Sequence, residues 1–425
     1  MKIIGFPIVV LNTTNNITND PNMQGLAMSI ALAGCLLGAL TAGTMADGYG
    51  RKPLLVASAF IFLVSAYGTG AFDDFIPFLI VRFVGGIAIG IASALSPMYI
   101  GEISPAEVRG KLVSLNQLAI VVGILGAQIV NWALVSDDEA WNVAMGWRWM
   151  FWAAAFPALL FLVLSFVIPE SPRWLAMNGK EEKAKSIFRR IGGDAYAEQE
   201  LKAISDMPIQ EEKGGLKVLF SKPYRLVLAI GIIIAVFQQW CGTNVIFNYA
   251  QEIFQGAGYD VDNTFINIVV TGIANLIFTF VAIYTVDRLG RRALMLIGAG
   301  GLAAIYLMLG ACYYFQVSGI FMVALVVLAI GCYAMSLGPI TWVLLAEIFP
   351  GKVRGIAVAT CTFALWMGSF TLTYSFPFLN QGLGTYGTFW IYTVICALGF
   401  VYFYRVLPET KGKSLEELEK KLIKK

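Results

Sequence analysis

The feature that most limits what this chain can become is a succession of apolar runs, each long enough for a helix to cross a hydrocarbon core of ~30 Å. Full-length runs fall near 24–46, 54–72, 76–99, 112–135, 149–168, 226–254, 264–286, 293–315, 318–345, 356–379 and 387–407, and residues 1–11 add an apolar stub. Composition agrees with that reading. Of 425 residues, 58% are hydrophobic and only 13% charged, where a soluble domain carries roughly 25% charged residues. The expected class is an all-α membrane protein.

Charge placement then orients the spans. All of the 30 Lys and Arg residues except Lys2, Arg82, Arg148 and Arg405, the last at the inner end of the final run, lie in alternate loops or in the C-terminal tail. The intervening loops, 12–22, 73–75, 136–146, 255–263, 316–317 and 380–386, hold none. By the positive-inside rule the basic loops and the C-terminus are cytoplasmic, which suits a multi-pass protein of the cell membrane. A net charge of +3 gives no reason to expect nucleic acid as a partner; the lipid bilayer is the expected surrounding. All six Cys lie inside spans without paired spacing and read as small packing residues. With no His and no metal-ligand cluster, neither a metal nor a cofactor is expected. The absence of a nucleophile–base pairing argues against an enzyme, and the absence of a filter-like ring of polar groups against a channel.

The chain repeats itself. Asp47-Gly-Tyr-Gly-Arg51-Lys52 returns as Asp287-Arg-Leu-Gly-Arg291-Arg292, and Glu102-Ile-Ser-Pro-Ala-Glu-Val-Arg109-Gly as Glu347-Ile-Phe-Pro-Gly-Lys-Val-Arg354-Gly. Pro169-Glu170-Ser returns as Pro408-Glu409-Thr, again about 240 residues on and in the same order. Two homologous bundles, 1–168 and 226–408, are therefore expected, joined by a cytoplasmic linker with short surface helices, 169–225, and followed by a tail, 409–425. The same offset puts the counterpart of the helix starting near Leu226 before Met1. The stub Lys2–Leu11 thus reads as the outer end of a first helix whose inner part is absent, about 16 Å of helix and too short to span.

These loops, with Pro169-Glu-Ser-Pro-Arg173-Trp174, Gln238-Gln239-Trp-Cys-Gly242-Thr-Asn244, Gly338-Pro339-Ile-Thr-Trp342 and Pro408-Glu-Thr-Lys-Gly412, resemble the sugar-porter branch of the major facilitator superfamily. The likeness runs from about Met23 to Leu418. It implies the major facilitator fold, two pseudo-symmetric six-helix bundles, here as eleven full spans plus a stub of the first. It further implies a secondary transporter that moves a small neutral sugar, a pentose or hexose, by alternating access, working as a monomer. An uncoupled polyol facilitator, a sugar sensor on the same fold and a non-functional truncated product remain the alternatives.

Polar side chains inside spans are expensive and tend to be functional. The spans hold Gln117, Gln128, Gln238, Gln239, Asn244 and Asn275. An amide donates and accepts, which suits a neutral polyol, and Tyr333, Trp342, Trp366 and Phe247 offer rings for a sugar's apolar face. The other use of such groups is bonding between helices, and that is the reading for Gln128, which matches no family motif. The resemblance implies that Gln117, Gln238, Gln239, Asn244, Asn275 and Trp342 bind the sugar, with Tyr333, Gly338 and Trp366 beside them. Gly231, Gly242 and Gly338-Pro339 are expected to loosen or break their helices there. Two departures leave the accepted sugars open: Asn248-Tyr249 stands where relatives often have two Tyr, and Leu365 stands where they often place Asn or Gln before Trp366.

The repeated charges are read as inter-helix ion pairs that close the cytoplasmic side and break when it opens. They are Asp47, Arg51, Glu102 and Arg109 in the first half, and Asp287, Arg291, Arg292, Glu347 and Arg354 in the second. Glu170 and Glu409 are expected to join them. Ser171 before Pro172 is an N-cap signal, and Ser414 with Glu417 a capping box. Arg82 lies six residues into its span. In proton-coupled sugar porters the matching Arg pairs with an Asp of the first helix, here just before Met1, so protons are the expected coupling ion of a longer form.

Overall fold

The computed structural model describes residues 20–136, 138–205, 219–256, 258, 261–317, 319–349 and 353–411. The apolar stub and the Ser414 capping box lie outside the described residues. So do the side chains of Arg109, Gln117, Asp287 and Arg354. Among the described residues every regular element is a helix, as expected where no water can satisfy a backbone amide.

Helices α1 (Pro21–Tyr49), α2 (Arg51–Ala71), α3 (Phe75–Ile103) and α4 (Ala106–Leu134) are followed by α5 (Asn142–Val167), which opens on one wide π turn, Asn142–Gly146. A short helix, α6 (Pro172–Met177), and a charge-rich one, α7 (Glu181–Ser205), come next. The remainder comprises α8 (Lys222–Trp240), α9 (Thr243–Asn248), α10 (Ala250–Gly256), α11 (Val261–Leu289), α12 (Arg291–Tyr314), α13 (Ile320–Ala334), α14 (Leu337–Glu347) and α15 (Arg354–Val406).

Each of the eleven expected spans falls on helix. Among the described residues nine helical stretches are long and apolar enough to cross a membrane, and Leu118–Leu134 is a shorter apolar one. The last of the nine, α15, has 53 residues, about 80 Å of helix and far more than one crossing needs. Its helical geometry is interrupted at Gly384, φ 71° and ψ 171°, between the two runs expected there. The run 226–254 is carried by α8 to α10, and 318–345 by α13 and α14.

The described residues form two compact units, one from 31–120 with 151–213, the other from 1–30, 121–150 and 214–425. In the first, α1 and α3 meet backbone to backbone. A Cβ on Gly34 would overlap the Phe83 carbonyl, and one on Gly86 the Ala31 carbonyl. Gly38 and Gly90 repeat the pattern one turn on, against the carbonyls of Ile87 and Cys35. Small residues four apart allow this closeness, which dispersion between helices then stabilises. Also in this unit, α6 and α7 bury Leu175, Ala184, Phe188 and Ala197 together. Ser171 caps α6 as expected, its Oγ accepting from Trp174 N at 3.1 Å with Pro172 in the first turn.

Candidate functional site

In the second unit the helix carrying Gln238 and Gln239 stops at the next residue, Trp240. The Cys241 amide still donates to Phe237 O, but Gly242 adopts φ 88°, a left-handed value that L residues avoid, and α9 begins at Thr243. Breaking the helix there turns four polar side chains onto one another. Asn244 Nδ2 donates to Gln239 Oε1. Gln239 Nε2 donates to Gln238 Oε1 at 2.5 Å, and Gln238 Nε2 to Tyr333 Oη at 2.7 Å. Gln238 and Gln239 are 5% and 6% exposed. This is a string of neutral donors and acceptors with no ionised group in it, chemistry suited to hydroxyls.

The break also fixes the surroundings. Tyr249 Oη donates to Thr373 O at 2.8 Å, Asn248 Nδ2 to Thr373 Oγ1 at 3.2 Å, and Trp240 Nε1 to Thr371 Oγ1 at 3.2 Å, tying α8 to α10 onto α15. The departure at Asn248 therefore places a side chain against α15. Gly338 packs on Tyr333, whose carbonyl and ring edge lie 3.4 Å from where a Cβ would stand. The second break falls at Met335 and Ser336, and Gly338-Pro339 sit in the first turn of α14. Gly231 breaks nothing. It lies inside α8, where the missing Cβ makes room for the Phe349 ring and Cys361 Sγ.

The structure thus brings together Gln238, Gln239, Asn244, Tyr333 and Gly338. Asn275 on α11 is 6% exposed and Trp342 on α14 is 40% exposed, while Trp366 on α15 is half-buried. Among the described residues none of these three is hydrogen-bonded to the string. Leu365 is buried at 4% exposure.

The repeated charges form two clusters. In the first, Arg51 Nη2 meets Glu102 Oε1 at 2.7 Å, Nη1 donates to Ala46 O at 3.0 Å, and Asp47 stands 3.8 Å away. Glu170 works here through the main chain. It accepts the main-chain amides of Arg51 at 2.9 Å and Lys52 at 3.2 Å, and so caps the N-terminus of α2 from a distant segment. Gly50, φ 92° and ψ 174°, makes the turn and leaves space for that carboxylate. In the second cluster Glu409 caps α12 through the amides of Arg291 at 2.9 Å and Arg292 at 3.1 Å, after Gly290 at φ 86°. Arg291 Nη2 meets Glu347 at 3.1 Å, and Arg292 Nη2 donates to Tyr404 O at 2.5 Å. Local pattern pointed to the right carboxylates but not to this capping, which depends on where a helix begins.

Arg82 is half-buried on α3. Its guanidinium lies over the rings of Phe78 and Phe151, 5.6 and 5.7 Å from their centroids. Its buried Nε has no hydrogen-bond partner among the described residues.

Comparison with known proteins agrees with this geometry. The profile of the family described as sugar (and other) transporter matches residues 4–422. The D-xylose-proton symporter of Escherichia coli (strain K12) is 38% identical over 424 residues, covering 94% of this chain and 86% of the relative. The arabinose-proton symporter of Bacillus subtilis (strain 168) is 38% identical over 407 residues, covering 95% and 88%. The E. coli xylose transporter, solved in a partially occluded inward-open conformation, superposes with a TM-score of 0.85 at 34% identity, over 97% of this chain and 94% of that one.

Proposed function

The chain belongs to the sugar (and other) transporter family, and from that premise we propose that it moves a neutral pentose or hexose across the cell membrane by alternating access, coupled to protons. The fold is that of the major facilitator transporters, and the chain is a multi-pass membrane transporter, not an enzyme. The observation that carries the substrate class is the string from Asn244 through Gln239 and Gln238 to Tyr333. It sits at a helix break, as transporter sites do, and offers amides and a phenol with no charge. Gln117, Asn275, Trp342, Gly338 and Trp366 complete the site in this reading.

Two homologous bundles, 1–168 and 226–408, rock about that site as a monomer, with 169–225 and the C-terminus in the cytoplasm. The clusters around Arg51 and Arg291, together with Arg109, Asp287 and Arg354, close the cytoplasmic side. Arg82 is the coupling residue, because a buried cation in a span needs an anion or a proton-dependent change nearby. The similarity to two sugar–proton symporters supports this assignment.

Counterflow of D-xylose and D-glucose in proteoliposomes tests the reading. Gln239→Ala is expected to abolish counterflow while leaving the protein folded in detergent. Undiminished counterflow in that variant would remove the string from the site. Proton coupling is read separately, as sugar-dependent alkalinisation outside inside-out vesicles or its absence.

A further inference from the structure

One half-buried amide in the second unit, its oxygen buried, takes no part in the string. Gln128 lies on α4 and rests on α11 at Gly272. A Cβ on Gly272 would overlap Gln128 Oε1 and come within 3.0 Å of Leu125 Cδ1. The glycine is therefore what admits the amide. Having been admitted, Oε1 is buried and has no hydrogen-bond partner among the described residues. A helix contact alone gains nothing from an acceptor left in that state, since a leucine or methionine would fill the space without an unpaired oxygen. The arrangement makes sense if the oxygen meets its donor when something else is bound.

Position on α11 says what that donor would be. Gly272 precedes Asn275 by three residues, about 4.5 Å along the helix axis. Asn267, Thr271 and Asn275 follow one another at four-residue steps and so share a stripe. Thr271 is satisfied within the helix, its hydroxyl donating to Ile268 O at 2.6 Å. Asn267 Nδ2, like Gln128 Oε1, is buried without a hydrogen-bond partner among the described residues. An unpaired acceptor and an unpaired donor thus lie within about two turns of Asn275, toward the Val261 end of α11. A hydroxyl group can donate to the one and accept from the other.

We propose that Gln128 is a further ligand-contacting residue, whose Oε1 accepts a hydrogen bond from one hydroxyl of the bound sugar and so selects for sugars that carry it. The inference rests on the reading of Gln238, Gln239 and Asn244 as the sugar site. It deepens that reading by adding a residue outside the family's motifs. Gly272 is the positioning residue, because the amide can reach the stripe only where no side chain intervenes.

The test is competition in proteoliposome counterflow by D-glucose, D-xylose and the 2-, 3-, 4- and 6-deoxy analogues of glucose. The wild-type chain is expected to bind one deoxy analogue about 3- to 10-fold more weakly than glucose through loss of the bond to Gln128. Gln128→Met keeps the volume and removes the acceptor. It should weaken glucose by that factor, leave that one analogue unchanged and keep discrimination at the other positions. Gly272→Ala keeps the amide but displaces it, and should abolish the same discrimination. A full wild-type discrimination pattern in both variants, with only thermal stability lowered, would overturn the proposal and leave Gln128 a helix contact. Gln239→Ala separates the two failures. If it loses counterflow while Gln128→Met discriminates normally, this inference alone falls. If Gln239→Ala transports normally, the site reading falls and this inference with it.

Discussion

Arg51 reaches Glu102 at 2.7 Å with both side chains nearly dry, 9% and 11% exposed, whereas Arg291 reaches Glu347 at 3.1 Å with 14% and 28% exposed. The main-chain parts of the two clusters match: Gly50 and Gly290 turn the chain, and Glu170 and Glu409 cap the helix that follows. The hydroxyl parts differ. Thr410 Oγ1 donates to Glu347 Oε2 at 2.6 Å, while its counterpart Ser171 Oγ accepts from Trp174 N. Glu102 Oε2 is consequently buried without a partner among the described residues. A duplicated motif keeps the contacts that depend on the turn and one carboxylate. It loses those that depend on what comes next, and after Ser171 comes a helix opening on Pro172.

The largest effect expected from this difference is in stability. Glu102→Ala leaves the Arg51 guanidinium buried beside a weak second acid, and should cost about 3–5 kcal/mol. Glu347→Ala, in the wetter cluster, should cost about 1–3 kcal/mol. Thermal unfolding of both variants in one detergent decides; equal losses would mean the clusters are energetically alike despite their geometry.

Next in size is a change that should treat the halves alike. Gly50→Ala and Gly290→Ala force an L residue into a conformation that is essentially glycine's own, and should each cost about 1–3 kcal/mol. The new Cβ of either would also press on the capping carboxylate. A clear difference between the two losses would show that the caps, too, have diverged.

The smallest effect concerns acid. Partial burial pushes the Glu409 carboxyl up, but main-chain N–H donors from Lys411, Arg291, Arg292 and Thr410 outweigh it and hold the group below its ordinary range. A depressed folded value means that this carboxylate stabilises fully above the unfolded value of about 4.3, and that the contribution fades as pH falls through the folded one. Glu409→Gln should therefore lower Tm at neutral pH and flatten its decline below about pH 4. Parallel declines of variant and wild type between pH 3 and 7 would mean that the charge contributes nothing to the cap.

Much of this architecture is legible in the chain because its signals are local. Apolar length gives the spans, and Ser171 before Pro172 gives a cap that the structure reproduces. Gly242 breaks its helix as expected, but Gly231 does not, because a glycine inside a span can serve either a bend or a neighbour's ring. Which use applies depends on Phe349, distant in sequence. The amides of the site are equally plain as residue types. That Gln238, Gln239 and Asn244 bond to one another, and that Gln128 Oε1 has no hydrogen-bond partner among the described residues, follows only from how the helices meet. Glu170 and Glu409 illustrate the same limit, since a charge pattern suggests side-chain partners and cannot display a helix's free amides.

The string from Asn244 to Tyr333 has a consequence for how quickly any occupant can leave. Each of its bonds is already made within the protein, so an entering molecule replaces contacts one for one, and a departing molecule finds the old ones ready to close behind it. Neither step must pass through a stage with several bare dipoles. Under the proposed function, hydrogen bonds exchanged in this way would add little to the barrier against a sugar's entry or release.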